Sequence, residues 1–276
     1  MLMNFIPSLL FVFLSIIAIT VIIRTYFRTT GRFKEWIYLD NILRLRGGTQ
    51  DWICVLGLSH IIPPPKFMGT TFPDSTTPYT NNGCEYAQTI NNECDLSNIP
   101  VYDGSRSIHS DDNLSPIAEQ IIKQVKESEY LCICVSGHIT DVLIAIKHKP
   151  TIAKKIKIYC ATLNNKDYHN MCLEARTLGC SVIELDDGEP DLILYKGIHG
   201  AEWLDEHVKP TLVGKLVMKP KWMDENVRQN RLLLGIRSPL YLTGVLAVLR
   251  SRMPSISYTA NTIYNMIEDG LNKIRR

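Results

Sequence analysis

The chain has 276 residues, 45% hydrophobic and 21% charged, with a formal net charge of +2. This composition is ordinary for a globular domain large enough to hold a full core. A charge so near zero argues against a nucleic-acid partner, which calls for a basic face. Eight cysteines would suffice for four disulfides, but Cys54, Cys132, Cys134 and Cys160 lie inside apolar runs. There a reduced cysteine behaves as a small hydrophobe. Cys132 and Cys134 stand two apart, on one face of a strand, a spacing that is neither a zinc ribbon nor a redox pair. Reduced, buried thiols are the expectation.

Residues 5–23 are nineteen positions without a charge. As a helix they span roughly 28 Å, enough for a bilayer core. No Lys or Arg precedes the run and no small-residue cleavage site follows it, so it does not read as a secretory signal. Arg24, Arg28, Arg32 and Lys34 come directly after it. By the positive-inside rule that flank stays cytoplasmic, or on the matrix side of a mitochondrion. The expected organisation is a membrane anchor and basic flank over 1–34, then one α/β domain over 35–276. The lipid bilayer is the first expected partner, and the protein is expected to be single-pass.

Residues 36–39 read as a first strand, followed by Asp40-Asn41. An apolar helical run covers 52–58 and stops at the three prolines Pro63, Pro64 and Pro65. Residues 66–72 suit a strand, 84–94 a helix, and 99–104 a short strand entering a turn. Ser115-Pro116 opens the next helix with a serine cap and proline at the first helical position. Its buried face is Ile117, Ile121, Ile122 and Val125. Residues 131–135 form a short apolar run, a buried strand, ended by Ser136-Gly137. Ile139, Val142, Leu143 and Ile146 recur at helical spacing until Pro150, and 156–161 is strand-like again. That succession is a βαβ unit, which requires a parallel sheet covered by helices. A helix over 167–178, strands at 181–185 and 192–195, a buried helix at 240–249 and a terminal amphipathic helix complete the reading. The fold class is α/β, an open, mostly parallel sheet with helices on both faces. In such sheets ligands sit at the carboxyl ends of the strands, here beginning at Ser136, Gly137, His138 and Thr140.

The order of these signatures from residue 37 to 161 resembles the calcium-dependent nucleoside hydrolases, the inosine/uridine-preferring family that cleaves ribonucleoside N-glycosidic bonds. Their opening D-x-D-x-x-x-D-D is similar to Leu39-Asp40-Asn41, an insertion at 42–46, then Gly47-Gly48-Thr49-Gln50-Asp51. Thr70-Thr71 matches a T-T pair, and 99–104 matches I-P-V-Y-x-G. The loop His109-Ser110-Asp111-Asp112-Asn113-Leu114 is similar to H-G-x-x-G-L. Gly137-His138-Ile139-Thr140-Asp141 is similar to G-P-L-T-N. The resemblance implies an open α/β sheet and a calcium ion that orients the ribose diol and activates water for an aspartate base.

Carried across residue by residue, Asp51 takes the place of the last metal aspartate and Thr140 that of a backbone-carbonyl ligand. Both are vestigial metal candidates, because the pattern breaks around them. Gln50 replaces a carboxylate, and Arg44 and Arg46 enter through the insertion. Arg237-Ser238 stands where the family has a histidine and an aspartate. One or two carboxylates hold a doubly charged ion poorly, so no cofactor is expected, with a guanidinium as one available partner for Asp51. Asp40, Asp51 and His109 remain the catalytic candidates; Asp74, His138 and Asn164 are the substrate-binding ones. For His109 the plain alternative is a solvated loop histidine, and for His138 a helix-start residue without a catalytic role.

The leading expectation is a membrane-anchored, catalytically degenerate domain acting as an accessory or structural subunit of a larger membrane complex, for example a mitochondrial inner-membrane respiratory assembly. The alternatives are an active N-glycosidase with a rebuilt calcium site, in which Asp40, Asp51 and Asp74 share the work, and a nucleoside or ribose sensor. Alkaline extraction of membranes tests the anchor: the full-length chain should stay in the pellet, and its release into the supernatant contradicts a span at 5–23.

Overall fold

A computed structural model of the chain describes residues 34–40, 48–71, 83–105, 113–161, 165–185, 243–253, 265–267, 269–270 and 272–273. Contacts divide the chain between Lys34 and Glu35, and the fold below is that of the second part. Among the described residues no helix is long and apolar enough to cross a membrane. The expected span at 5–23 lies outside them, as does the expected strand at 192–195.

Six strands form one sheet: β1 (Glu35–Asp40), β2 (Met68–Thr70), β3 (Val101–Asp103), β4 (Leu131–Ser136), β5 (Ile156–Ala161) and β6 (Ser181–Leu185). Their spatial order is β3-β2-β1-β4-β5-β6 and every pairing is parallel. Helices α1 (Gly48–Leu58), α2 (Gly83–Glu93), α3 (Pro116–Ser128), α4 (Thr140–His148) and α5 (Lys166–Thr177) fill the connections between these strands, and α6 (Thr243–Arg252) follows β6 in the chain. Pro150 does end α4, but the chain then makes a 3₁₀ helix, Pro150–Lys155, before entering β5. Proline suits that first position because its missing N–H would have no partner there.

Side-chain alternation sorts the core. Ile37 and Leu39, Leu131, Ile133 and Val135, and Ile156 and Ile158 share one face with Ile117, Ile121 and Val125 of α3, Val142 and Ile146 of α4, and Cys172 of α5. The intervening residues Trp36, Tyr38, Cys132 and Cys134 point to the opposite face and are also buried. There Tyr38 meets Trp52 of α1 edge to face, at 5.9 Å between ring centroids. The thiol of Cys134 lies against the Ala247 carbonyl of α6. Both faces of β1 and β4 are therefore dry, which is why these strands read as continuous apolar runs rather than as alternation.

Caps set the helix starts. Ser115 accepts from the Ala118 amide and Asn165 from the amides of Asp167 and Tyr168. Buried Asn91 of α2 holds the far side together. Its Oδ1 accepts from Trp52 Nε1 at 3.0 Å and its Nδ2 donates to the Ile99 carbonyl at 3.2 Å. Asn91→Ala leaves two buried groups unpaired, so it should lower the unfolding free energy by about 2–3 kcal/mol in a urea titration. A change within error would show that water replaces the amide.

Candidate functional site

The strand order reverses between β1 and β4, the switch point at which a crevice opens beyond the carboxyl ends of a parallel sheet. Register places Asp103, Thr70, Asp40, Ser136, Ala161 and Leu185 on one level across the six strands. Asp40 and Ser136 face each other at the switch. The turn after β4 is made by Gly137 at φ 118°, and a Cβ there would meet nothing within 4 Å. A side chain is excluded by conformation, not by space.

Asp40 is fully buried, and its Oδ2 accepts the Tyr38 hydroxyl at 2.8 Å. Burial, then the charges of Asp40 and Asp51, push the Tyr38 phenol well above its ordinary range, so it stays protonated and donates. Asp51, in the first turn of α1, is 2% exposed. Its two oxygens receive two amides from the first turn of α6: Gly244 N to Oδ2 at 2.9 Å and Val245 N to Oδ1 at 3.1 Å. Ser136 Oγ adds a longer contact to Oδ2 at 3.4 Å. The positive end of a helix is thus the electrostatic partner of this carboxylate. The sequence had offered a guanidinium; Arg44, Arg46 and Arg237 lie outside the described residues.

Calcium takes six to eight oxygens, with several charges among them. Here both Asp51 oxygens are engaged by backbone amides and one Asp40 oxygen by a phenol. Thr140, the carbonyl candidate, is the buried first residue of α4. Among the described residues no group of three or more His, Cys, Asp or Glu could hold a metal ion. The described residues do not by themselves make up a calcium cage.

Of the other sequence candidates, His138 is 2% exposed just after β4, with its ring 6.2 Å from that of Tyr168 of α5. His109, Asp74 and Asn164 lie outside the described residues. The structure therefore gathers Asp40, Asp51, Thr140 and His138 around the ends of β1 and β4.

It adds a carboxylate that sequence reasoning passed over. Asp141, 1% exposed, accepts at Oδ1 from the Ser105 amide at 2.7 Å and from Ser115 Oγ at 2.5 Å. It ties the exit of β3 to the start of α3. Its Oδ2 has no hydrogen-bond partner among the described residues. A Cβ on Gly104 would lie 2.5 Å from that oxygen and 3.0 Å from the Thr70 carbonyl, so only glycine lets the chain pass. One signal was available: a carboxylate followed at once by Val142, Leu143 and Ile144 has to be buried with its helix. Thr70 Oγ1 donates to Asp103 Oδ1 at 2.8 Å, making these two strand ends a second polar pair.

No family model matches the chain. No curated protein matches it. Among solved structures it is similar to a purine-preferring ribonucleoside hydrolase from Gardnerella vaginalis, at 13% identity and TM-score 0.61, over 87% of this chain and 99% of that one. The fold is nucleoside hydrolase-like. Two further structures are similar over 87% of this chain and 92% of theirs. They are the effector protein XOO4466, at 9% identity and TM-score 0.56, and the type III effector XopQ complexed with adenosine diphosphate ribose, at 10% and 0.50. At these identities the likeness concerns the fold. The nucleoside hydrolase-like sheet presents its switch point at Asp40 and Ser136.

Burial raises the Asp141 pKa; the Ser115 hydroxyl, the Ser105 amide and His138 oppose the rise without cancelling it. A raised folded pKa means stability that is fully present below the unfolded value, about 3.9, and lost as pH climbs through the folded value. Asp141→Asn removes that loss and keeps the Oδ1 acceptor. Its melting temperature should match the wild type near pH 4 and exceed it at pH 8. Each kcal/mol appears as roughly 2–4 °C in a domain of this size. A variant less stable at both pH values would show that the charge itself is required.

Proposed function

We propose that this protein is a membrane-anchored, nucleoside hydrolase-like domain that does not hydrolyse nucleosides and serves as an accessory or structural subunit of a larger membrane assembly. The observation that carries the reading is the double amide contact to Asp51 from Gly244 and Val245. A carboxylate that closes a helix N-terminus is not available to a cation, and without the cation the attacking water keeps a pKa near its bulk value. Gln50 and Ser238, at positions where the resemblance calls for aspartates, support the same conclusion. The apolar run at 5–23 and its basic flank support the anchor. Assembly partners follow from the anchor and from a domain without its chemistry, and the organelle rests on the charge asymmetry alone.

A second reading, a binder of nucleosides or ribose phosphates that does not cleave them, is favoured by the row of polar strand ends at Asp103, Thr70, Asp40 and Ser136 beside the open space at Gly137. A fold neighbour is described in complex with adenosine diphosphate ribose.

Titration calorimetry with CaCl₂, inosine and adenosine diphosphate ribose, beside a reducing-sugar assay on inosine and uridine, separates these readings. The expected result is no calcium binding and no ribose release. Asp51→Ala should cost about 2–4 kcal/mol in stability, because two buried amides lose a charged acceptor. Ligand heat without ribose release selects the binder. Micromolar calcium binding, with ribose release that disappears in Asp51→Ala, restores an active N-glycosidase.

A further inference from the structure

The end of the sheet opposite the switch point carries unbalanced positive charge. The strands all run the same way, so their amino ends lie together, with Glu35, Leu131 and Ile156 on one level. α4 leaves the carboxyl end at Thr140 and returns to the amino end at His148. The 3₁₀ helix Pro150–Lys155 leads from there straight into Ile156. Residues 142–166 contain Lys147, Lys149, Lys154, Lys155, Lys157 and Lys166 and no Asp or Glu. Buried Ile152 and Ala153 fasten the 3₁₀ helix to the core, which fixes where its lysines stand.

Other charges at this end are answered. Lys66 pairs with Glu35 at 3.0 Å and Lys147 with Glu174 at 2.8 Å. The end of α3 brings both signs, Lys126 beside Glu127. Lys149, Lys154 and Lys155 differ: among the described residues no carboxylate forms an ion pair with them. Lys154 is exposed, and Lys149 and Lys155 are half-buried. The α4 dipole accounts for Lys147 and His148 in its last turn, not for the lysines after Pro150. An apolar side chain stands next to this charge. α5 ends in a turn through Gly179, at φ 103°, where a Cβ would lie 3.8 Å from Lys154 Cγ. Leu178, the residue before it, is 38% exposed.

We propose that the amino end of the sheet docks on a bilayer of anionic lipids through Lys149, Lys154 and Lys155, with Leu178 entering the headgroup layer. Lysines around an exposed leucine suit a surface that is anionic at its face and apolar beneath. These few surplus charges on a chain of net charge +2 make a poor nucleic-acid footprint. The basic flank ends at Lys34 and β1 starts at Glu35, so the chain enters the sheet at this same end. The choice of partner rests on the membrane-anchored reading, whose expected orientation puts the domain on the side where the leaflet is anionic. Each lysine near such a surface contributes roughly fivefold in binding, and the attraction fades with salt. Docking here leaves the crevice, at the carboxyl ends of the same strands, turned away from lipid.

The full-length chain is reconstituted in phosphatidylcholine vesicles, with or without phosphatidylserine, and briefly acetylated with a membrane-impermeant reagent. Mass spectrometry reads each lysine against Lys166, which is exposed at the start of α5, at the other end of the sheet. Labelling of Lys149, Lys154 and Lys155 should fall about threefold or more with phosphatidylserine and recover in high salt. In Lys154→Gln/Lys155→Gln, Lys149 should lose most of that protection, because the attraction is shared. No change with phosphatidylserine, equal protection in phosphatidylcholine, or Lys149 still protected in the double variant overturns the surface. So does protection that appears only with an added oligonucleotide. Alkaline extraction of the same vesicles reads the anchor separately. A chain that stays in the pellet without lysine protection loses the surface and keeps the anchor; one that is released after showing protection keeps the surface and loses the anchor.

Discussion

The carboxylate of Asp51 receives the amides of Gly244 and Val245, the first of them 193 residues later in the chain. Much of the architecture converges on this contact. Asp51 is fixed by α1, whose Val55 and Leu56 are buried. α6 packs Val245, Ala247, Val248 and Leu249 into the same interior. A helix N-terminus buried without acceptors is costly, and so is a buried carboxylate without donors. Each answers the other. The Tyr38 hydroxyl is set against Gly244, where a Cβ would overlap it, and donates to Asp40. At the switch point the chain's own donors thus hold both oxygens of Asp51 and one oxygen of Asp40.

Those contacts bear on what the crevice can do. A hydrolase built on this sheet needs its carboxylates turned toward a cation and a water. Here two oriented backbone amides already bring positive charge to both oxygens of Asp51. A polar rim remains in Thr70, Asp103, Ser136 and the open turn at Gly137, and it can accept hydroxyl groups. Recognition without cleavage is physically consistent with this arrangement, and so is a wholly structural role.

Asp141 shows a different solution to burial. Two donors on one oxygen do not compensate the loss of water around both, so its charge stays disfavoured. What the residue gives in return is geometry: it joins the residues after β3 to the cap of α3. The close approach at Gly104 shows how little room that junction leaves.

Local chemistry was enough to determine the repeating βαβ scheme. Apolar runs at 131–135 and 156–161, the serine cap with proline at 115–116, and the helical spacing from Ile139 to Ile146 all became the elements they signalled. These signals act within a few residues, through alternation, capping and the missing amide of proline. The turn signal at Ser136-Gly137 likewise marks the carboxyl end of β4. The partner of Asp51 was not legible, because backbone amides carry no sequence signature and the helix that supplies them is remote. Nor was the role of Asp141, since the contacts that define it come from Ser105 and Ser115, which only packing brings together. The same holds for Cys132 and Cys134: alternation placed them on one face, but parallel register put Lys157 opposite Cys132 and packing laid Ser251 against Cys134. Sequence fixes which way a side chain points along its own strand; tertiary structure decides what it meets there, because that depends on chain segments far away.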